Sequence, residues 1–214
     1  MEVFPRNASI DEMQLAKITK CHHTSRRVKH ASGAAMSEVN KPKQAPGTRG
    51  KVQDQVLSSL RNGIMSGLFV PGQTMSLRKL AERLGTSPMP VRESLSRLVA
   101  ANALEELPNR SVRVPRLNEQ SLIELFEVRR RIEGLAASLA STKTNPEVLE
   151  KLEALNLRGW EAHKLGNMAE VLRANQQFHF TIYRLTDSDI IFPIIEALWL
   201  RCGPTMYFSL SSPG

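Results

Sequence analysis

Residues 71–114 read PGQTMSLRKLAERLGTSPMPVRESLSRLVAANALEELPNRSVRV, and they spell two short amphipathic helices across a tight turn, then a small β-hairpin. Leu77, Leu80, Ala81 and Leu84 recur at the steps of three and four that bring side chains to one side of an α-helix. Arg78, Lys79, Glu82 and Arg83 are left facing water. Gly85 follows the last apolar position, where a positive φ closes a helix cheaply, and Thr86 carries the chain through the turn. Ser87 is expected to cap the next helix. Pro88 and Pro90 fall in its first turn, whose amides need no intrahelical acceptor, so they start this helix rather than break it. Val91, Leu95 and Leu98 form its buried stripe, which puts Met89, Arg92, Glu93 and Ser96 on or near the outer face. This is a helix-turn-helix, and the second helix is the one expected in a major groove.

The elements on either side complete a winged module. Leu104 to Leu107 and Val112 to Val114 are short alternating runs joined by Pro108-Asn109-Arg110-Ser111, a cluster of turn formers. Arg110 falls at the wing tip. In the second run the valines face inward and Arg113 outward, so the wing is expected to offer two cations to a phosphate backbone. Upstream, Val52, Val56, Leu60 and Ile64 at four-residue spacing, with Leu57 alongside, predict a helix over residues 51–66 that Gly67 ends.

With Pro71-Gly72, LAERLG from Leu80 to Gly85 and SPMPVRESLSRL from Ser87 to Leu98 in place, the segment resembles the GntR family of bacterial transcription regulators. The resemblance implies operator contacts for Arg78, Ser87 and Arg92. Met89 and Ser96 join them from the helix geometry, and Arg110 and Arg113 from the wing. Two departures are visible. Many members carry an arginine where this chain has Pro88, and a glycine in the wing where it has Asn109-Arg110-Ser111.

The chain has 214 residues and a net charge of +8, enough length for two small domains. Residues 1–49 hold nine Lys/Arg and four Asp/Glu, residues 50–117 ten and five, and residues 118–214 ten and twelve. The basic excess therefore lies in the tail and the helix-turn-helix module. Such an excess serves solubility or attraction to a polyanion, and its coincidence with the module favours the second. Cys21 and Cys202 are isolated, which implies no disulfide framework and a reducing cytoplasm. No basic leader runs into an apolar segment, and no apolar run approaches about 18 residues, against secretion and membrane spanning. Residues 1–49 have a tail's composition, with a linker over residues 41–50. Met36 opens a short ordinary leader, so translation from either Met1 or Met36 fits. Cys21-His22-His23 lacks the second ligand pair that a metal site needs.

From Asn118 the pattern is wholly helical. Leu125, Val128, Ile132, Leu135 and Leu139 alternate steps of three and four. Asn145-Pro146 stops that helix before one carrying Leu149, Leu152 and Leu155, and Gly166-Asn167 precedes a third over residues 168–185. An apolar run follows over residues 190–200. The expected fold is mainly α: a winged helix-turn-helix over residues 50–117, then an antiparallel helical bundle over 118–214. In the third bundle helix Leu172, Asn175, His179 and Ile182 share a stripe, so Asn175 and His179 form either a hydrogen-bonded core pair or two metal ligands on one face.

Glu124 to Ala140, ELFEVRRRIEGLAASLA, and Asn175 to Tyr183, NQQFHFTIY, resemble the FadR C-terminal domain (FCD), the effector-binding bundle of one GntR subfamily. The resemblance implies a divalent metal, commonly zinc, held by a carboxylate and three histidines, with a small organic acid above it. The first histidine maps to His179, while the carboxylate position is Asn175, a poorer neutral ligand. Arg129 matches an arginine that faces the effector and pairs with its carboxylate. Its plainer reading is a solvated helix cation. The two later histidines have no counterpart after Cys202, so the FCD bundle is read as incomplete: a fragment, an early-terminated variant, or a bundle finished by a partner subunit. Apolar surface is then expected around Ile191, Ile194, Ile195, Leu198 and Trp199.

Together these readings predict a sequence-specific regulator of metabolic genes, cytoplasmic and nucleoid-associated. It would bind double-stranded operator DNA as a homodimer and respond to a small carboxylate. The rival is a winged-helix interaction module that only dimerises. An enzyme is not expected, since no nucleophile or base accompanies His179 and no HExxH or phosphate loop is present.

Overall fold

The computed structural model describes residues 49–211. The tail, the Met36 start and the Cys21-His22-His23 cluster lie outside the described residues. The architecture is the expected one: mainly α, with a winged helix-turn-helix leading into a helical bundle. Its elements run α1 (Arg49–Met65), β1 (Thr74–Met75), α2 (Leu77–Leu84), α3 (Pro88–Ala100), β2 (Glu105–Glu106), β3 (Val112–Arg113), α4 (Glu119–Ser141), α5 (Pro146–Lys164), α6 (Met168–Arg184) and α7 (Ile191–Ser211).

Side chains start the helices where the sequence offers a short acceptor. Ser76 caps α2 through the Lys79 amide at 3.4 Å, Asn118 caps α4 through Ser121 at 2.8 Å, and Asn145 caps α5 through Val148 at 2.9 Å with Pro146 in its first turn. Each satisfies an amide that the helix leaves unpaired. Gly85 closes α2 at φ 63°, the left-handed conformation that favours glycine.

The sheet has a strand that a simple hairpin lacks. Its order is β1-β3-β2, antiparallel throughout, with Arg113 between Thr74 and Glu105 and Val112 between Met75 and Glu106. The segment after Pro71-Gly72 thus does more than turn the chain: it ties the start of the helix-turn-helix to the wing.

One apolar core runs through both halves, from Val56, Leu60 and Ile64 past Leu80, Leu84, Val91 and Leu98 to Phe180, Ile195 and Trp199. Helix α1 packs on α3, and α7 packs on α1, α4 and α6. Gly203 makes the α7–α1 crossing possible. A Cβ there would lie 2.3 Å from the carbonyl oxygen of Ile64 and 2.7 Å from the Met65 Cα. The neighbouring Pro204 sits inside α7 without an amide hydrogen to donate.

The bundle differs from its sequence pattern in which faces point inward. Helix α4 buries Leu122, Leu125, Phe126, Arg129, Ala136 and Ala140, whereas Val128, Leu135 and Leu139 are 45%, 49% and 43% exposed. The helix is rotated away from its most apolar stripe because its small alanines and its Arg129 face the aromatic core. Ile195 and Trp199, expected at an open surface, are fully buried on α7; Ile191 and Leu198 are half-buried against the core, and only Ile194 of that group is exposed. The partners that cover them are α4, α6 and α1.

Candidate DNA interface and buried polar site

Val91, Leu95 and Leu98 seat α3 on the module core, and Ser94 is buried beside them. Arg92, Ser96 and Met89 stand exposed on the opposite side, and Arg78 is exposed on α2. Ser87 takes the extended conformation of a cap residue but makes no side-chain cap bond, against expectation. Pro90 removes one of its two possible donors, and the amide of Met89 is not taken up either. A cap hydroxyl accepts from the second or third helical amide, and the third here is Pro90, which has none. The exposed Ser87 hydroxyl at the front of α3 is therefore not spent on the helix end.

In the wing, the Arg110 amide donates to the Leu107 carbonyl at 2.8 Å and the Leu107 amide to the Ser111 carbonyl at 2.8 Å. The Asn109 side chain closes the turn by accepting from the Ser111 amide at 3.0 Å. Arg110 occupies the position with φ 59°, so an arginine bears the left-handed backbone that a glycine would carry without strain. Arg113 is not the unpaired outward cation expected. Its Nε donates to Glu105 Oε1 at 2.7 Å across the strands, and the pair is partly exposed. The cross-strand register that creates this contact was not legible in the sequence.

Within the bundle the polar centre is a carboxylate. Glu133 Oε1 accepts from Arg129 Nε at 2.6 Å and from Trp199 Nε1 at 3.0 Å; Oε2 accepts from the Tyr183 hydroxyl at 2.7 Å and Arg129 Nη2 at 3.3 Å. The Arg129 guanidinium lies 5.0 Å from the Trp199 ring centre and 5.3 Å from that of Phe126. Arg129 is thus a buried, internally paired cation and not a solvated one. Burial is the largest influence on the Tyr183 hydroxyl and the Cys202 thiol. It raises the Tyr183 hydroxyl well above its usual range, with the Glu133 charge adding to the effect. It also pushes the Cys202 thiol up to about 11, which keeps that thiol protonated and unreactive.

Comparison with known proteins agrees with both halves. The profile described as "Bacterial regulatory proteins, gntR family" matches residues 52–114, and that of the FCD domain residues 124–214. The HTH-type transcriptional regulator McbR of Escherichia coli (strain K12) is 34% identical over 154 residues, covering 72% of this chain and 70% of McbR. This chain belongs to the GntR family. A probable D-xylose utilization operon transcriptional repressor of Paenarthrobacter nicotinovorans is 31% identical over 157 residues, 72% of this chain and 68% of that protein. The solved structure of E. coli McbR/YncC superposes with a TM-score of 0.69 at 32% identity, over 75% of this chain and 76% of that one. A putative GntR regulator from Rhodococcus sp. RHA1, at 23% identity and TM-score 0.58 over 73% and 75% of the two chains, shares the fold. The protein is accordingly a GntR-type DNA-binding transcription regulator with a helical FCD half.

The metal that an FCD half implies does not fit the described residues of the bundle. His179 is packed between Tyr183, Phe178 and Trp199, with ring centres 5.5–5.9 Å apart. Its Nδ1 lies 3.3 Å from the Tyr183 hydroxyl, whose one hydrogen goes to Glu133, so Nδ1–H is the donor there. Burial, aided by the Arg129 charge and opposed by Glu133, lowers the His179 pKa and keeps the ring neutral. Asn175 is half-buried beside it along α6. One imidazole nitrogen and a neutral amide fall short of a metal's donor set, and no group of three His, Cys, Asp or Glu that could hold an ion occurs among the described residues. The core-pair alternative is nearer the geometry, but His179 pairs with Tyr183. Glu133, central to the site, was missed by the sequence reading although Arg129 and Glu133 stand four apart on one helix face, the spacing of an ion pair.

Proposed function

We propose that this GntR regulator reads operator DNA with α3 in the major groove, Arg92 and Ser87 at base edges, Met89 and Ser96 beside them, and Arg78 and Arg110 on the phosphate backbone. Residues 50–117 are the DNA module. The exposed Arg92 on a helix whose opposite face is locked into the core carries this reading. Arg113 contributes less than its position suggests, since a phosphate must compete with Glu105 for it. The protein acts as a homodimer, which the exposed Val128, Leu135 and Leu139 on α4 support as a surface for a second copy. It acts in the cytoplasm; no helix among the described residues is long and apolar enough to cross a membrane.

The two halves are coupled through α7. It carries Trp199 at the buried polar site and, within the next helical turn, Gly203 against α1, which in turn backs α3. A change in the bundle therefore has a rigid route to the DNA module. A small carboxylate effector, the class the FCD resemblance suggests, would reach Arg129 only by taking the place of Glu133.

Arg92→Ala is expected to lower operator affinity by about 1–3 kcal/mol, the scale of one good base contact, with thermal stability unchanged. Titration of labelled operator duplex measures it; equal affinity for wild type and variant, or wild-type binding insensitive to salt, would refute the assignment. Arg110→Gly is expected to shift two properties in opposite directions. Relief of the left-handed strain outweighs glycine's extra chain entropy and raises stability by about 0.5–1 kcal/mol. Loss of a phosphate contact reduces the slope of log affinity against log salt by about 1. Urea melts and affinities at several salt concentrations read the two effects separately.

A further inference from the structure

The leading turn of α3 is poor in hydrogen-bond donors. A helix start leaves its first four amides without intrahelical partners, and such amides commonly meet phosphates or other acceptors. Here the positions of Pro88 and Pro90 carry no amide hydrogen. What the turn presents instead is carbon: the Pro88 ring is exposed, and Met89, a flexible thioether chain, is 48% exposed. Single exposed apolar side chains are ordinary on a protein surface, but the position of this one is not. Met89 stands one helical turn ahead of Arg92 and two ahead of Ser96, on the stripe that faces away from the buried Val91, Leu95 and Leu98.

We infer that Met89, with the Pro88 ring beside it, selects a thymine in each operator half-site by apolar contact with the C5-methyl group. The inference rests on the placement of α3 in the major groove and deepens it. A helix docked there brings its N-terminal residues to the base edges. Among those edges the thymine methyl is the one apolar group; guanine offers two acceptors, adenine an acceptor and a donor, cytosine a donor. Guanine calls for a pair of donors, which the Arg92 fork has and the Met89 and Pro88 side chains lack. Set against guanine, those two side chains would strip water from its acceptors and return no bond. Set against thymine, they cover a methyl whose removal from water is favourable. The outer face of α3 is thus divided: apolar carbon at its front reads a methyl, and Arg92 one turn behind reads an acceptor edge.

Deoxyuridine, which lacks only the methyl, tests it. Selection by the full chain from duplexes with a random core supplies the probe, and the preferred duplex is resynthesised with deoxyuridine at each thymine position in turn, in both half-sites at once. At one position the loss of a methyl is expected to weaken binding about three- to fourfold, hence about tenfold for the symmetric pair. Met89→Ala, a change on the exposed side of α3, is expected to melt at the wild-type temperature and to bind the thymidine and deoxyuridine duplexes equally. Arg92→Ala is expected to bind both more weakly and to preserve their ratio. Deoxyuridine tolerated at every thymine, or a penalty that Met89→Ala leaves intact, would overturn the inference while operator binding through α3 stands. Failure to select any duplex, or a selected duplex bound equally by wild type and Arg92→Ala, would bring down the placement of α3 and the inference with it.

Discussion

Gly203→Ala is expected to destabilise the protein by about 2–3 kcal/mol, although alanine is the better helix former. Inside a helix the replacement of glycine by alanine gains about 1 kcal/mol. Against that gain stands a Cβ 2.3 Å from the Ile64 carbonyl oxygen and 2.7 Å from the Met65 Cα and carbonyl oxygen. These are backbone atoms and cannot rotate aside. Helix α7 must then withdraw from α1, which opens the seam around Gly67, whose own added Cβ would meet the Gly203 carbonyl at 2.8 Å. Overpacking of a close contact costs about 1–3 kcal/mol, and the rigid neighbours here put it at or above the upper end. Gly134→Ala is the internal control: its Cβ would meet nothing within 4 Å on the exposed side of α4, so helix propensity alone acts and stability rises by up to about 1 kcal/mol. Urea midpoints at constant m-value read both variants. Gly203→Ala as stable as Gly134→Ala would show that the α7–α1 contact yields without cost, and α7 would lose its place as the link between the halves.

The winged helix-turn-helix was legible in the sequence because its determinants are local. Leu77, Leu80, Ala81 and Leu84 follow one helix period, Gly85 marks the stop, and the two prolines mark the next start, so a window of some forty residues fixes the motif. Ser87 shows where local reading fails even there. Its residue type favours capping, but a proline three positions later removes one of the two amides it could cap, and its hydroxyl makes no cap bond. Strand β1 and the Glu105–Arg113 pair depend on register across a sheet, which alternation in single strands does not encode.

The helical half was legible in its elements and not in its faces. On α4 the sequence offers two apolar arcs, one through Val128, Leu135 and Leu139 and another through Leu122, Leu125, Phe126 and Ala136. Periodicity alone cannot choose between them. The choice is made by Glu133, which needs donors from Tyr183, Trp199 and Arg129 and so turns its own side of the helix inward. Residues 50 and 66 positions away in the chain decide the matter, and no spacing rule reaches that far. His179 was drawn toward a metal by family pattern, and its setting between Tyr183 and Trp199 gives it the role of a packed, neutral donor.

Arg129→Met is expected to cost about 3–5 kcal/mol, the largest loss from any single substitution considered for this chain. Methionine keeps most of the stem's volume and its contact with Trp199 and Phe126. The variant therefore removes charge and two hydrogen bonds with little change in packing. Glu133 is then left as a mostly buried carboxylate with only Tyr183 and Trp199 as donors, and an uncompensated buried charge is what makes one-sided loss of such a pair expensive. The intact pair itself adds little net stability, because bringing both charges out of water costs nearly what their attraction returns. The same reasoning predicts strong non-additivity. Arg129→Met with Glu133→Leu is expected to be more stable than Arg129→Met alone by at least about 2 kcal/mol, even though Tyr183 and Trp199 lose their acceptor. A double-mutant cycle from urea denaturation measures the coupling. If the two losses simply add, Glu133 is not held by Arg129, and the polar centre of the bundle is ordinary packing with charges attached.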